Sequence, residues 1–308
     1  MTIFYFKDER GNVGDDLNSL IVPAIFNENE LANAAYMFIG IGTLLNSKLP
    51  NADEYVIFTS GYGYHQGPAF TDKKVTALGL RGPMTLTEMK PFLSQSESDI
   101  PLIDGAYLTP ELITGKTSQL KNKIGLIPHV DSISVGLWEE VASLGGFELI
   151  DPRLSPEAFV SSITSCAYVI TEAMHGAILA DAYRVPWTGF IAYSHINEAK
   201  WQDWAESLNL NVGLQQISPT FRGDLGLPPG DKIKNKAKRI LKSCGLYNEA
   251  WSPPPQQKSS KSDIECSVDM LNAIHDQGNY KLSESSLIKH KLEHLKDNIK
   301  RFNINGYI

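Results

Sequence analysis

Glu172 and His175 stand three residues apart in the run Thr171-Glu172-Ala173-Met174-His175-Gly176-Ala177. An apolar stretch (167–170) leads into it and a helix-like stretch (176–184) leads out. A free imidazole titrates near pKa ~6.5, so His175 suits proton transfer at neutral pH as general acid or base. Glu172 can orient that ring or hold a substrate hydroxyl; its structural alternative is helix capping. The small Gly176 leaves space for a ligand where the helix starts. A second constellation, Gly11-Asn12-Val13-Gly14-Asp15-Asp16, follows the apolar residues 3–6. Glycine loops that open a helix often cradle phosphate on free backbone N–H groups. Here Asp15 and Asp16 would repel a phosphate, and neither the G-x-G-x-x-G spacing nor a Walker lysine is present. A hydroxyl-rich ligand fits better, contacted by Asn12, Gly14 and Asp16, with Asp15 as a candidate acid–base group. The structural alternative is that both carboxylates only complement the helix N-terminus.

Candidate cations for an anionic substrate are few: Arg81, His129, His195 and Lys200. Arg81, in Leu80-Arg81-Gly82-Pro83, offers a planar fork suited to carboxylate or phosphate; a surface or inter-domain salt bridge is its alternative role. Lys200 precedes an aromatic helix face, and its alternative is a solvated position. No metal site is expected: there is no H-E-x-x-H, no cysteine pair, and the seven histidines are scattered. A G-x-S-x-G elbow is also missing.

These residues gain meaning from the elements that carry them. Short β-rich runs at 3–6, 35–39, 55–58, 75–80 and 100–108 alternate with helical runs, the first over 15–26 and a short one following the turn 40–46. A glycine- and aromatic-rich loop covers 60–65, and Pro83 suits the first position of a helix. After a polar linker (114–122), a second set has strands at 123–129, 147–150, 167–170 and 187–191. Its helices are expected at 135–144, with Trp138, Val141 and Leu144 on one face, and at 156–166 behind Ser155 as N-cap. Two more follow at 176–184 and 198–208, the last with Trp201, Trp204 and Leu208 at i, i+3, i+7. This alternation predicts an α/β protein with two Rossmann-like domains, 1–115 and 120–212, facing a cleft. His175 and the 11–16 loop then lie at strand ends, where open α/β sheets bind ligands. A helical, partly linker-like extension spans 213–308, with a Gly/Pro-rich stretch (221–231), a basic helix (232–242), a linker (252–262) and further helices over 263–300.

The composition is that of a soluble globular chain: 308 residues, 42% hydrophobic, 20% charged, net charge −7. That balance argues against nucleic-acid binding. Residues 231–301 nevertheless hold 14 of the 28 Lys and Arg but 9 of the 35 Asp and Glu, so the tail is basic and the rest acidic. Cys166, Cys244 and Cys266 lack metal or redox spacing; Cys166 reads as a core thiol, and a reducing, cytoplasmic setting fits. No secretory signal and no membrane-length apolar run are read.

The motifs taken in order resemble those of the polysaccharide pyruvyl transferases, closest to the type acting in bacterial exopolysaccharide assembly. The matching segments are 11–16, Gly40-Ile41-Gly42-Thr43, 80–83, Pro128-His129 and 172–177; the resemblance covers about 1–210. It implies a fold like the GT-B glycosyltransferases. It also implies phosphoenolpyruvate as donor, a sugar hydroxyl pair as acceptor and a pyruvate ketal as product, with no cofactor. His175 would be the general acid or base, Glu172 or Asp15 its complement, and Arg81 a clamp on the donor. Family members carry an Arg two residues before the catalytic His, where this chain has Ala173. The donor's charge is then met from Lys200, His195 or His129. Acceptors in such pathways are often lipid-linked, and the basic helix 232–242 could draw the protein to the inner face of a membrane; its structural alternative is a solvated helix packed across the domain junction. The alternatives are a nucleotide-sugar glycosyltransferase of the same architecture, distinguished by release of nucleotide instead of phosphate, and a non-catalytic sugar-binding protein.

Overall fold

The apolar runs become the strands of two parallel sheets in the computed structural model, which describes residues 2–26, 36–63, 67–115, 123–248 and 251–304. The first sheet holds β1 (Thr2–Phe4), β2 (Met37–Ile39), β3 (Glu54–Phe58) and β4 (Lys74–Gly79) in that order, each parallel to its neighbour. The second holds β5 (Ile124–Ile127), β6 (Glu148–Leu149), β7 (Tyr168–Thr171), β8 (Trp187–Ile191) and β9 (Gln215–Gln216) in the order β6-β5-β7-β8-β9, again all parallel. Strands covered on both faces are apolar at consecutive positions. Val56, Ile57 and Phe58 in one sheet, and Leu126, Ile127, Val169 and Ile170 in the other, are accordingly fully buried. In the second sheet the chain passes from β5 to one side, then returns to place β7 on the other. The gap between the ends of β5 and β7 is therefore a topological switch point, where α/β sheets hold ligands.

Helices α1 (Val13–Ile25), α2 (Pro83–Met89) and α3 (Thr109–Leu112) accompany the first sheet. Asn12 caps α1 through Gly14 N, and Pro83 takes the first turn of α2 as expected. Helices α4 (Val130–Ile133), α5 (Trp138–Gly145), α6 (Pro156–Thr164), α7 (Met174–Ala182) and α8 (Glu198–Glu206) accompany the second. Ser155 caps α6, and Trp201, Trp204 and Leu208 are buried together. Cys166 is a buried thiol.

Three expected elements differ. Residues 40–46 turn beside β3 as expected, with Leu45 bridging Tyr62, but no helix follows them; the chain runs on in turns and bends to 50. The expected strand over 100–108 is a single bridge from Leu102 to Leu80, followed by a 3-10 turn (Gly105–Leu108) that Asp104 caps by accepting from Ala106 N at 2.9 Å. The expected helix 135–144 is split into α4 and α5. A Cβ at Gly136 would stand 2.4 Å from Trp138 Nε1, so the chain turns tightly there. Trp138 and Val141 are buried, but Leu144 is 52% exposed, off the packed face. Most of the expected linker (116–122) and part of the 60–65 loop lie outside the described residues.

The C-terminal segment comprises α9 (Pro229–Ser243), α10 (Lys261–Asp276) and α11 (Ser285–Ile304). Helix α10 packs on α5, placing Val268, Leu271 and Ile274 in one core cluster with Trp138 and Val141. Helix α11 crosses to β4 of the first sheet, buries Leu295, and donates from Asn298 Nδ2 to Leu78 O at 3.1 Å. A larger cluster runs without a break from Leu17, Phe38 and Phe58 through Val169 and Trp187 to Leu295, so both sheets share one core. Helix α9 buries no residue.

Candidate active site

A pocket of about 390 Å³ opens where residues following β1, β2, β5 and β7 converge. Asn12 and Asp15 come from the first junction, Thr43 from the second, His129 from the third and His175 from the fourth; Lys200 enters from α8. The two constellations read from the sequence touch each other. A Cβ on Gly14 would lie 2.1 Å from His175 Nδ1, so only glycine lets the loop seat the imidazole. Gly176 serves packing instead of ligand space: a Cβ there would lie 2.5 Å from Thr171 Oγ1. That hydroxyl accepts from Ala173 N at 3.0 Å and fixes the entry to α7.

Burial sets the protonation of the wall. It pushes the Asp15 carboxyl up to about 7, against the Asn12 amide that donates to it at 2.6 Å and with help from the charges of Asp16 and Asp8. At neutral pH such a carboxyl is available as an acid. Burial pushes His175 below the usual imidazole range; the nearby Asp104 carboxylate opposes this, while the positive charges of Lys200 and Arg81 reinforce it. His175 is therefore neutral at pH 7, and its Nε2 is buried without a hydrogen-bond partner. Burial, then the charge of Arg81, lowers Lys200 to about 8, so it still carries its proton at neutral pH.

Other expected site residues are placed differently. Arg81 is fully buried away from the pocket wall. Its Nε donates to Asp203 Oδ2 at 2.9 Å and its Nη1 to Thr43 Oγ1 at 2.9 Å, while Thr85 donates to both oxygens of Asp203. The expected donor clamp is thus the alternative reading, an ion pair tying the end of β4 to α8. Glu172 is also fully buried. Its Oε1 accepts from Ala192 N (2.9 Å) and Tyr193 N (3.3 Å), and its Oε2 from His129 N (3.2 Å). It fastens the loops after β5 and β8, and burial holds its carboxyl above the usual range. Asp16 accepts from Asn12 N at 3.3 Å and braces the loop without lining the pocket.

His129 lines the pocket, but burial and then the charge of Lys200 lower it to about 4, so it is a neutral donor or acceptor and not a cation. Its Nδ1 accepts from Asp131 N at 3.2 Å, which leaves the ring proton on Nε2. His195 stands behind it, ring centroids 5.3 Å apart, with Nε2 3.1 Å from Ser132 Oγ. His129, Asp131 and His195 present ligand-type atoms within 4.8 Å of one another, a grouping that their separation in the sequence concealed. Asp131 Oδ1 there accepts from Arg10 Nη2 at 2.8 Å.

Sequence reasoning missed Arg10, Asp104 and Asn18. Arg10 reaches the pocket from a charged turn, paired with Asp8 and Asp131. Asp104, 1% exposed, keeps Oδ2 without a hydrogen-bond partner, and its charge acts on the His175 imidazole. Asn18 bonds both the N–H (2.7 Å) and the C=O (3.0 Å) of Ile41, locking α1 to the loop after β2. The signal for Asn18 was its position one turn beyond the acidic pair on the same helix.

Comparison with known proteins adds an independent line. The family model described as polysaccharide pyruvyl transferase matches residues 112–195, which span β5 to β8 and contain His129, Glu172 and His175. The succinoglycan biosynthesis protein ExoV of Rhizobium meliloti (strain 1021) is 30% identical over 226 residues, covering 73% of this chain and 70% of that protein. No solved structure gives a significant match.

Proposed function

The chain belongs to the polysaccharide pyruvyl transferase family, and we propose that its pocket moves the pyruvyl group of phosphoenolpyruvate onto two hydroxyls of one sugar residue. The product is a pyruvate ketal on a bacterial surface polysaccharide or its lipid-linked precursor. Likeness to a succinoglycan biosynthesis protein supports a polysaccharide acceptor. On this reading residues 1–115 and 120–212 act as two Rossmann-like domains facing a cleft, as in GT-B glycosyltransferases, with 213–308 as a helical extension.

One observation carries the reading: Asp15 and His175 meet on the wall of one pocket that Lys200 and Arg10 also reach. The chemistry needs those parts. The methylene carbon of the enol phosphate takes a proton, which leaves an oxocarbenium-like centre on the carbon bearing the phosphate. A sugar hydroxyl adds there and loses its proton. The C–O bond to phosphate then breaks with its electron pair on the phosphate, and the second hydroxyl closes the ring. One proton ends on the new methyl group, two hydroxyl protons are released, and one phosphate leaves per ketal. Protonated Asp15 supplies the first proton and neutral His175 accepts one from a hydroxyl. Asp104 is a positioning residue that stabilises the imidazolium formed. Lys200 and Arg10 face the donor's carboxylate and phosphate, the task that Ala173 cannot perform. Glu172 holds the loops that aim His129 and His175.

The test is incubation with phosphoenolpyruvate and a panel of galactosides, glucosides and mannosides, following phosphate and product mass. Phosphate release that depends on one class of glycoside is expected. Nucleotide release from a nucleotide-sugar, with phosphoenolpyruvate untouched, would overturn the reading.

A further inference from the structure

Helix α9 is oriented opposite to an ordinary surface helix, whose apolar side faces the core. Its polar side is the one tied to the protein. Asn235 Nδ2 donates to Asp224 Oδ1 at 2.8 Å, Arg239 Nη1 to Asp224 Oδ2 at 2.6 Å, and Lys238 Nζ to Ser252 O at 2.7 Å. At 100° per residue, Ile233, Ala237, Ile240 and Cys244 share the opposite side. Ile233 is 71% exposed and Ile240 54%. Past the helix end Leu246 is 70% exposed and Trp251 44% exposed, and the Tyr247 and Trp251 rings pack edge to face.

The charge around that surface is mainly positive, the acids beside it being Asp231 in the first turn of α9 and Asp224, which pairs with Arg239. From Lys232 to Tyr247 there are six cations and no acid. Lys232, Lys236 and Lys258 line a recess of about 530 Å³ beside Ile240, together with Arg239, whose charge Asp224 already meets. A protein partner for this face would need an apolar strip bordered by acids along its whole length. A bilayer bearing anionic headgroups supplies both features at once, with acyl chains under Ile233 and Ile240 and phosphates at the level of the lysines.

We propose that α9 and the recess beside it seat the protein on a membrane surface rich in anionic headgroups. The helix lies in the plane of the interface, and Trp251 and Tyr247 sit at headgroup level, where such amphipathic rings concentrate. Among the described residues no helix is long and apolar enough to cross a membrane. The proposal stands apart from the pyruvyl-transfer reading, because α9 contributes nothing to the active-site pocket.

Sedimentation with vesicles tests it. The full chain should pellet with vesicles of equal parts phosphatidylcholine and phosphatidylglycerol, and stay in solution with phosphatidylcholine alone. Binding should weaken as salt shortens the Debye length from about 10 Å to about 3 Å. The exposed-site variant I233S/I240S should lose binding, and K232E/K234E/K236E should bind about tenfold or more weakly. Both should keep wild-type turnover of a water-soluble glycoside, so failure of the membrane idea and failure of the activity assignment read out separately. No pelleting of the wild type at low salt, or equal pelleting of I233S/I240S, overturns the proposal. So does a lipid-free dimer, seen by sedimentation velocity, that I233S/I240S dissolves.

Discussion

Desolvation favours the neutral form of both His175 and Asp15, the latter carrying its proton in part at pH 7, because each is buried where the glycine loop closes on the imidazole. Replacing His175 by Ala should lower turnover by roughly 10²–10⁴-fold while thermal unfolding stays cooperative; wild-type turnover in a folded variant would remove His175 from the chemistry. Asp15 gives a two-sided prediction. Its native carboxyl titrates at about 7, above the ~3.9 of an unfolded chain. Between those values the folded state keeps a proton that the unfolded state has released, so this group favours folding at low pH. The advantage fades as pH rises through about 7. Asp15→Asn should therefore abolish most turnover yet raise the unfolding free energy at pH 8, by an amount on the order of a few kcal/mol, and change stability little at pH 4. Rate against pH should fall above about 7 as Asp15 ionises, and on the acid side as His175 gains a proton. The donor KM should climb above about 8, where Lys200 loses its charge. A donor KM flat across that range would remove Lys200 from the donor site. Asp15 and His175 were legible as pocket residues because residue type coincided with a strand end. Asp104 was not, because its segment reads as a strand and becomes a capped 3-10 turn.

Helix α8 carries both Lys200 and Asp203, so one element presents a cation to the pocket and anchors the end of β4. The Arg81–Asp203 pair is 0% and 1% exposed at its side chains. Breaking such a pair leaves an uncompensated buried charge and costs about 3–5 kcal/mol. Arg81→Met should lower the urea midpoint accordingly, and adding Asp203→Leu should restore most of the loss, since an apolar pair can replace a buried ion pair. An Arg81→Met protein as stable as wild type would contradict the placement. Arginine after a strand reads equally well as a ligand clamp or a strut; 122 residues separate it from its partner, so the sequence could not choose. The strands β1 to β8 were legible as apolar runs, whereas the two polar residues of β9 carry no such signal and the run 100–108 is not a strand. The break between α4 and α5 was not legible, because it depends on the close approach of Trp138 and Tyr193 to Gly136.

At the scale of the molecule, one core joins the two sheets, and α11 reaches back from the C-terminal end to cover β4. That contact was invisible in the sequence, where α11 is one amphipathic helix among others with no sign of which sheet it covers. The shared core holds the Asn12–Asp15 loop of one sheet against the His175 junction of the other, and this convergence is what the pyruvyl-transfer chemistry requires. The most direct measurement is the mass of the product formed from phosphoenolpyruvate and an accepted glycoside in deuterium oxide. One solvent deuterium in the methyl group of the ketal, with product missing from the His175→Ala and Asp15→Asn proteins, is the predicted result. A ketal without deuterium, or undiminished product from both variants, would contradict proton delivery to the donor's methylene carbon in this pocket.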